Sequence, residues 1–390
     1  MQYLVCLFVI IMSEIVITKA DLNMNIHIIY SIIALIAACL CGIITIPFVL
    51  DFCKKKGIYD LPNQRKIHKN AVPRLGGIVF LPSVLIGCCV AFLLAGIHGT
   101  TSVTLSLWTI YFIFGVTAIY IIGIIDDLFD LNAMVKLVVQ LVAASMLPMA
   151  GLWINNLHGL FGIHEIPFII GAPLTVITVT FISNAINLID GIDGLSGSLT
   201  VLILCGFAIS FSYWQLWYYV IIICSLIGIL LAYLYFNIFG KAEENRKIFM
   251  GDTGSLSIGF LLAFLSLKLV MKNSMVLQSS SDELLLAFTL LLVPTFDVFR
   301  VSLLRIRNRF SPLRADKNHI HHKLLRTGLS PHATLITILC LALAFIAINY
   351  LLYQFCNITV VVIADIVIYT VFHLLVNYAI KRNGEKPHVF

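Results

Sequence analysis

Charged side chains are scarce. Lys, Arg, Asp and Glu together make up 11% of the 390 residues, against roughly 25% in soluble domains. With 60% of the chain hydrophobic and a mean hydropathy of +1.02, a soluble globular protein is excluded. The ten cysteines (6, 39, 41, 53, 88, 89, 205, 224, 340 and 356) contain no CxxC and no Cys/His metal spacing. A disulfide framework and a thiolate metal centre are therefore not expected, and these residues read as small membrane hydrophobes. Internal repeats and low-complexity tracts are absent too, so one integral membrane domain is the expectation. The net charge of +6 would suggest nucleic acid in a soluble protein. Here the basic residues gather in particular loops, which the positive-inside rule explains, and no nucleic-acid partner is expected.

What is present is a series of long apolar runs. Residues 1–19 form a short apolar segment interrupted by Glu14 and closed by Lys19, without the basic start of a cleaved signal peptide. Residues 1–26 are an extension of unassigned role, 27–380 the membrane domain and 381–390 a tail. The domain reads as all-α and polytopic, with about 11 transmembrane helices of the ~20 residues needed to cross a bilayer. The expected spans are 27–52, 77–98, 104–125, 133–150, 166–188, 192–213, 215–236, 253–272, 283–306, 333–354 and 357–380. The shortest is 133–150, and Gly and Pro in 151–170 leave room for a short hairpin.

Alternate loops differ sharply in charge. Twenty of the 25 basic residues fall in 54–74, 241–247, 305–326 and 381–386, whereas 99–103, 151–165, 214 and 355–356 hold none. The rich side should face the cytoplasm, with the first main span entering from outside and the C-terminus inside. Every polar motif in the chain falls on that side.

The most conspicuous motif is Asn184-x-x-Asn187-x-x-Asp190-Gly191-x-Asp193-Gly194, set between apolar runs. Asn184 and Asn187 share a helical face, and the two glycines free the backbone to bring Asp190 and Asp193 together. Such groups at a membrane boundary need partners. A capped, solvated turn is the plainer reading of this motif alone.

Four further stretches favour a site. Asp126-Asp127 precedes Lys136 by about one short loop, and adjacent carboxylates need a cation or a lysine between them; helix capping is the alternative. Phe249-Met-Gly251-Asp252-Thr253-Gly254-Ser255 opens a span, where free N–H groups suit phosphate or a Mg²⁺–phosphate pair. The loop 60–77 contains Arg65, His68, Pro73 and Gly76-Gly77, and reads either as an anion-binding loop or as a lipid-attracted one. Pro294 should break the ninth span; Asp297 and Arg300 follow on one helical face, then His319-Ile-His321-His322. Zinc lacks its usual accompanying ligands there, and pyrophosphate contact is favoured. Carboxylates mixed with Lys, Arg and His at one membrane face fit two polyanions meeting through a cation.

These residues resemble the bacterial polyprenyl-phosphate N-acetylhexosamine-1-phosphate transferases. That superfamily also holds the phospho-MurNAc-pentapeptide translocase and the eukaryotic dolichyl-phosphate GlcNAc-1-phosphate transferase. The resemblance spans about residues 27–380. It rests on Arg65-x-x-His68 with Pro73-x-x-Gly76-Gly77, Asp126-Asp127, the Asn184–Gly194 motif, Gly251-Asp252-x-Gly-Ser255 and His319-x-His321-His322. The last motif looks like the branch that starts O-antigen, enterobacterial common antigen or wall teichoic acid. The peptidoglycan translocase, with three consecutive His, is the alternative.

The resemblance implies transfer of a sugar 1-phosphate, GlcNAc-1-phosphate first among them, from a UDP-N-acetylhexosamine to undecaprenyl phosphate with release of UMP. It implies Mg²⁺ as cofactor, with Mn²⁺ as a substitute, and a bacterial cytoplasmic membrane with the active-site cleft facing the cytoplasm. Family members are often homodimers, although no dimer face is readable. Carried over, Asp252 would be a metal ligand with Asn187 beside it, and Phe249 would stack on uracil. Asp190 and Asp193 would share that pocket, while Asp126 and Asp127 would serve the lipid phosphate and metal. Lys136, His319, His321 and His322 would hold phosphate oxygens. Because a phosphate monoester has its second pKa near ~6, the acceptor needs little help from a general base. Direct attack on the sugar-bearing phosphorus is expected, with a covalent phospho-aspartate as the rival. An ion-coupled transporter remains the reading outside enzymes, but such sites lie near mid-membrane, not at span ends.

Overall fold

The computed structural model describes residues 24–60, 71–98, 107–272, 280–311 and 316–384. In chain order these form α1 (Met24–Lys56), a 3₁₀ turn (Gly76–Val79) leading into α2 (Phe80–Ile97), α3 (Leu107–Phe129) and α4 (Ala133–Met149). A two-stranded antiparallel hairpin follows, β1 (Asn156–Leu160) and β2 (Ile163–Glu165). Then come α5 (Phe168–Ile189), α6 (Leu195–Tyr213), α7 (Trp217–Ile238), α8 (Gly251–Val270), α9 (Ser281–Arg307), the short α10 (Ile320–Arg326), α11 (Pro331–Tyr353) and α12 (Ile358–Arg382). Ten of these helices are long and apolar enough to cross a membrane.

The eleventh expected span, α4, has 17 residues, which at 1.5 Å each reaches about 26 Å across a ~30 Å hydrocarbon core. Connectivity supports its crossing. The end of α3 meets the start of α8, where Thr253 N donates to Asp127 (2.9 Å). Residue 155, just past α4, meets the other end of α8: Asn155 and Lys272 exchange hydrogen bonds of 2.8 and 2.9 Å. Between those contacts the chain traverses the bundle once.

Helix α8 is the hub. Nearly every residue from Thr253 to Val270 is buried, and α3 and α5 pack along it while α6 and α9 touch it. Small residues make this closeness possible, as in other membrane helix pairs. A Cβ on Gly123 of α3 would lie 2.4 Å from Thr253 Cα, and one on Gly259 of α8 would lie 2.6 Å from Ser183 Cα of α5. These approaches draw the site-bearing ends of α3 and α5 onto the start of α8. Helices α1, α2 and α7 form a second group, and α9 to α12 a third.

Two features depart from the sequence expectations. Pro294 does not break its span, since α9 runs unbroken through it. The Thr295 hydroxyl donates to Leu291 O (2.6 Å) and Leu292 O (3.2 Å), so a side chain feeds the carbonyls of the turn that the ring loosens. The third helix group is also joined by polar groups inside the membrane: Asn349 Nδ2 donates to Thr289 Oγ1 (2.8 Å) and Asp365 Oδ2 (2.9 Å).

The tightest approach gives a test of the packing argument. A Cβ on Gly77 would lie 2.0 Å from Gly254 N, whereas one on Gly96 meets nothing within 4 Å. Gly77→Ala should lower stability by about 2 kcal/mol or more and Gly96→Ala by no more than about 0.5 kcal/mol, read as thermal unfolding in detergent.

Candidate active site

One membrane face, the one carrying the basic loops, opens into a cavity of about 810 Å³. Among the described residues its wall holds eight carboxylates (Asp60, Asp126, Asp127, Asp130, Asp190, Asp193, Glu243, Asp252) against four permanent cations (Arg74, Lys136, Lys241, Lys247). Asn187, Phe249, Ser255 and His322 also line it. Separate stretches of sequence, one from each of the five motifs, thus converge.

Asp252, in the first turn of α8, lies at the centre. Its Oδ2 receives Lys136 Nζ at 2.7 Å, and its Oδ1 receives Asn187 Nδ2 at 3.0 Å. Lys136, from the first turn of α4, also reaches Asp126 Oδ2 at 3.0 Å. Asn187 also donates to Ser255 Oγ at 2.8 Å, and one turn deeper Asn184 donates to Gln140. The two Asn therefore share a face but serve different partners.

The aspartate pair divides its work. Asp127 is 3% exposed, and its carboxylate accepts from Asp252 N (2.8 Å), Thr253 N (2.9 Å) and Thr253 Oγ1 (2.6 Å). It caps α8 from another helix. Two of the N–H groups that the sequence reading offered to phosphate, those of Asp252 and Thr253, are therefore already taken. The Gly76-Gly77 pair likewise meets backbone: Gly76 N donates to Phe249 O (2.9 Å) and Gly77 N to Met250 O (2.7 Å). Arg74 closes the corner on Asp127 O and on Asp130 Oδ1 (2.6 Å).

The Asp190–Gly194 turn forms another wall. Asp193 pairs with Lys247 Nζ at 2.6 Å. Asp190 makes no side-chain hydrogen bond among the described residues, and burial, then the charges of Asp252, Asp193 and Asp127, push its pKa up to about 7. It is the carboxylate least compensated by protein. Asn237 holds the turn in place, accepting from Gly194 N (2.6 Å) and donating to Ile248 O (2.9 Å). Sequence reading missed Asn237; a lone carboxamide at the end of an apolar helix was the only sign.

The three histidines do not act as one group. His319 Nδ1 is 2.8 Å from Asp297 Oδ2, Ile320 N donates to Asp297 Oδ1 (2.9 Å) and Arg300 donates to Asn318 O (2.6 Å), which together fasten the loop to α9. His321 is buried against Gly191, where a Cβ would lie 2.1 Å from its Nε2. Only His322 lines the cavity. Burial, then His319, Lys317 and Arg326, hold its pKa down to about 4, so it meets an anion as a neutral hydrogen-bonding ring. Of the sequence-derived candidates, Asp126, Asp127, Lys136, Asn187, Asp190, Asp193, Phe249, Asp252 and His322 share the cavity; His319 and His321 stand behind it. Arg65 and His68 lie outside the described residues.

A metal must fit this donor set. Among the described residues no group of three or more His, Cys, Asp and Glu is arranged to hold one. Mg²⁺ needs less, because it is commonly held by one or two carboxylates plus substrate phosphates. Asp252 and Asp190 both line the wall and fit that requirement, and a cation there would offset the carboxylates around them.

A sequence model of the family described as glycosyl transferase family 4 matches residues 109–270. A Bacillus subtilis protein named "probable undecaprenyl-phosphate N-acetylglucosaminyl 1-phosphate transferase" is 32% identical over 80% of this chain and 82% of its own. Proteins named undecaprenyl-phosphate alpha-N-acetylglucosaminyl 1-phosphate transferase are 29% identical in Yersinia pestis (75% and 77% covered) and 28% in Escherichia coli O157:H7 (86% and 87%).

Behind the histidine loop, buried Lys323 donates to His373 Nδ1 at 3.1 Å. Burial, then Arg300 and Arg326, push the Lys323 pKa down to about 7. An unfolded lysine keeps its proton to about 10.4, so between about pH 7 and 10 the unfolded state binds more protons and stability rises with pH. The thermal midpoint should climb across that window, and Lys323→Met should remove most of the climb.

Proposed function

The chain belongs to glycosyl transferase family 4, and from that premise we propose that it moves GlcNAc 1-phosphate from UDP-GlcNAc to undecaprenyl phosphate, releasing UMP. The observation that carries this reading is Lys136 lodged between Asp126 and Asp252 in a carboxylate-rich cavity at a membrane face. Such a wall admits a diphosphate only with a counter-charge, and it offers one mobile ammonium for phosphate oxygens. Mg²⁺, held by Asp252 and Asp190 with Asn187 alongside, would neutralise the diphosphate and draw electron density from its phosphorus; Mn²⁺ would serve in its place.

In the transfer, an oxygen of the lipid phosphate attacks the sugar-bearing phosphorus. The bond from that phosphorus to the bridging oxygen breaks, and the oxygen leaves with UMP. The acceptor is already ionised at neutral pH, so the residues contribute chiefly position and charge. Lys136 and neutral His322 would hold phosphate oxygens, and Phe249 would lie against the uracil. Asp127, with its two oxygens accepting three hydrogen bonds, is poorly suited to be a covalent nucleophile. That favours direct transfer and leaves Asp126 as the only member of the pair suited to the rival route.

The lipid has a natural berth. Between α5, α8 and α9 lies an apolar cavity of about 380 Å³ lined by Val179, Ile182, Leu267, Leu291, Phe296 and Phe299 among others, chemically matched to an isoprenoid chain. The basic loops share the face of the polar cavity, which supports a cytoplasmic orientation in a bacterial inner membrane. The relatives' names do not favour the peptidoglycan translocase.

Purified protein given undecaprenyl phosphate, Mg²⁺ and UDP-GlcNAc should release UMP, and Asp252→Asn should slow release on the order of a hundred-fold or more. Turnover only with another UDP-amino sugar would change the donor and keep the chemistry. Folded protein inactive with every nucleotide sugar would overturn the reading.

A further inference from the structure

Lys136 has a second consequence that rests on the reading above. Each of its two carboxylate partners has one oxygen held by a neutral N–H: Asp252 Oδ1 by Asn187 Nδ2 (3.0 Å) and Asp126 Oδ1 by Leu131 N (2.8 Å). The other oxygen of each is held by the ammonium, at 2.7 Å and 3.0 Å. The lysine is thus placed on the very oxygen of Asp252 that remains open to a cation. An ammonium and a divalent ion cannot share that oxygen comfortably, because at contact distance in a partly buried site like charges repel strongly.

We propose that Lys136 is the resident counter-ion of this carboxylate pair and competes with the metal for Asp252, and that a nucleotide diphosphate lifts the competition by giving the ammonium a phosphate to hold. Three features of the chain make the exchange workable. The lysine stem is flexible and its head is a compact point charge. Its root is fixed at the start of α4, where Asn132 accepts from Met134 N. Among the described residues the cavity wall beside it holds more carboxylates than cations, so the displaced ammonium is drawn to an incoming phosphate only when that phosphate arrives. Metal and nucleotide then bind with positive coupling, and the coupling is reciprocal. The free protein holds metal weakly, and metal and diphosphate enter as partners.

Mn²⁺ titrated into the purified full-length protein in lipid nanodiscs, with the free ion followed by its paramagnetic resonance, tests this. Lys136→Met and Lys136→Gln should each bind Mn²⁺ alone roughly ten-fold or more tightly than wild type. Lys136→Arg, which keeps the charge, should stay weak. Adding UDP should tighten Mn²⁺ binding to wild type by at least a comparable factor and tighten it less in the two neutral variants. The proposal is overturned if both neutral variants bind Mn²⁺ alone no better than wild type. It is also overturned if Asp252→Asn binds Mn²⁺ as well as wild type, since the lysine would then not occupy the metal's ligand. Tighter Mn²⁺ binding in the neutral variants, with UDP without effect on any protein, would uphold the competition and instead overturn the nucleotide-sugar reading.

Discussion

The first turn of α8 begins within a packed bundle, where its exposed N–H groups cannot rely on bulk water. Membrane helices must satisfy such groups internally, and here α3 does so with the Asp127 carboxylate. The same hydrogen bonds that stabilise α8 therefore bind the end of α3 to it. Asp126, the next residue back, is carried to Lys136 and so to Asp252. Folding and site assembly share these bonds, and the glycine approaches at 123 and 259 bring the helices close enough for them to form.

Much of this was legible in the sequence. Apolar runs and polar insertions marked the helices and their site-bearing ends, because lipid enforces a strict division between the two. Partnerships across the chain were not legible. Asp126 and Asp127 look alike in sequence and both line the cavity, yet one receives Lys136 and the other caps a helix 125 residues away. The histidines at 319, 321 and 322 look like one cluster, and their rings do lie together, with His321 centred 4.2 Å from His322 and 6.1 Å from His319, yet only His322 reaches the cavity. Pro294 reads as a break, yet the helix runs on through it, with the Thr295 hydroxyl hydrogen-bonded to the carbonyls of Leu291 and Leu292 beside it. The contributions of Asn237, Asn349 and Asp365 arise from packing, which no local pattern announces.

The electrostatic design is unusual for a surface that receives phosphates. Among the described residues carboxylates outnumber permanent cations two to one around the cavity, so simple attraction to this part of the wall cannot supply the affinity. The cationic donors it offers a phosphate are few, Lys136 among them.

Gly191 and His321 meet so closely that no methyl group fits between them. As long as 321 keeps this ring, 191 is confined to glycine. A lineage gains a side chain at 191 only after 321 has surrendered its ring, and an ancestor already carrying that ring is confined to glycine opposite. The contact ties the histories of two motifs that lie 130 positions apart in the chain, and co-substitution at this pair would mark a branch whose substrate loop has been rebuilt.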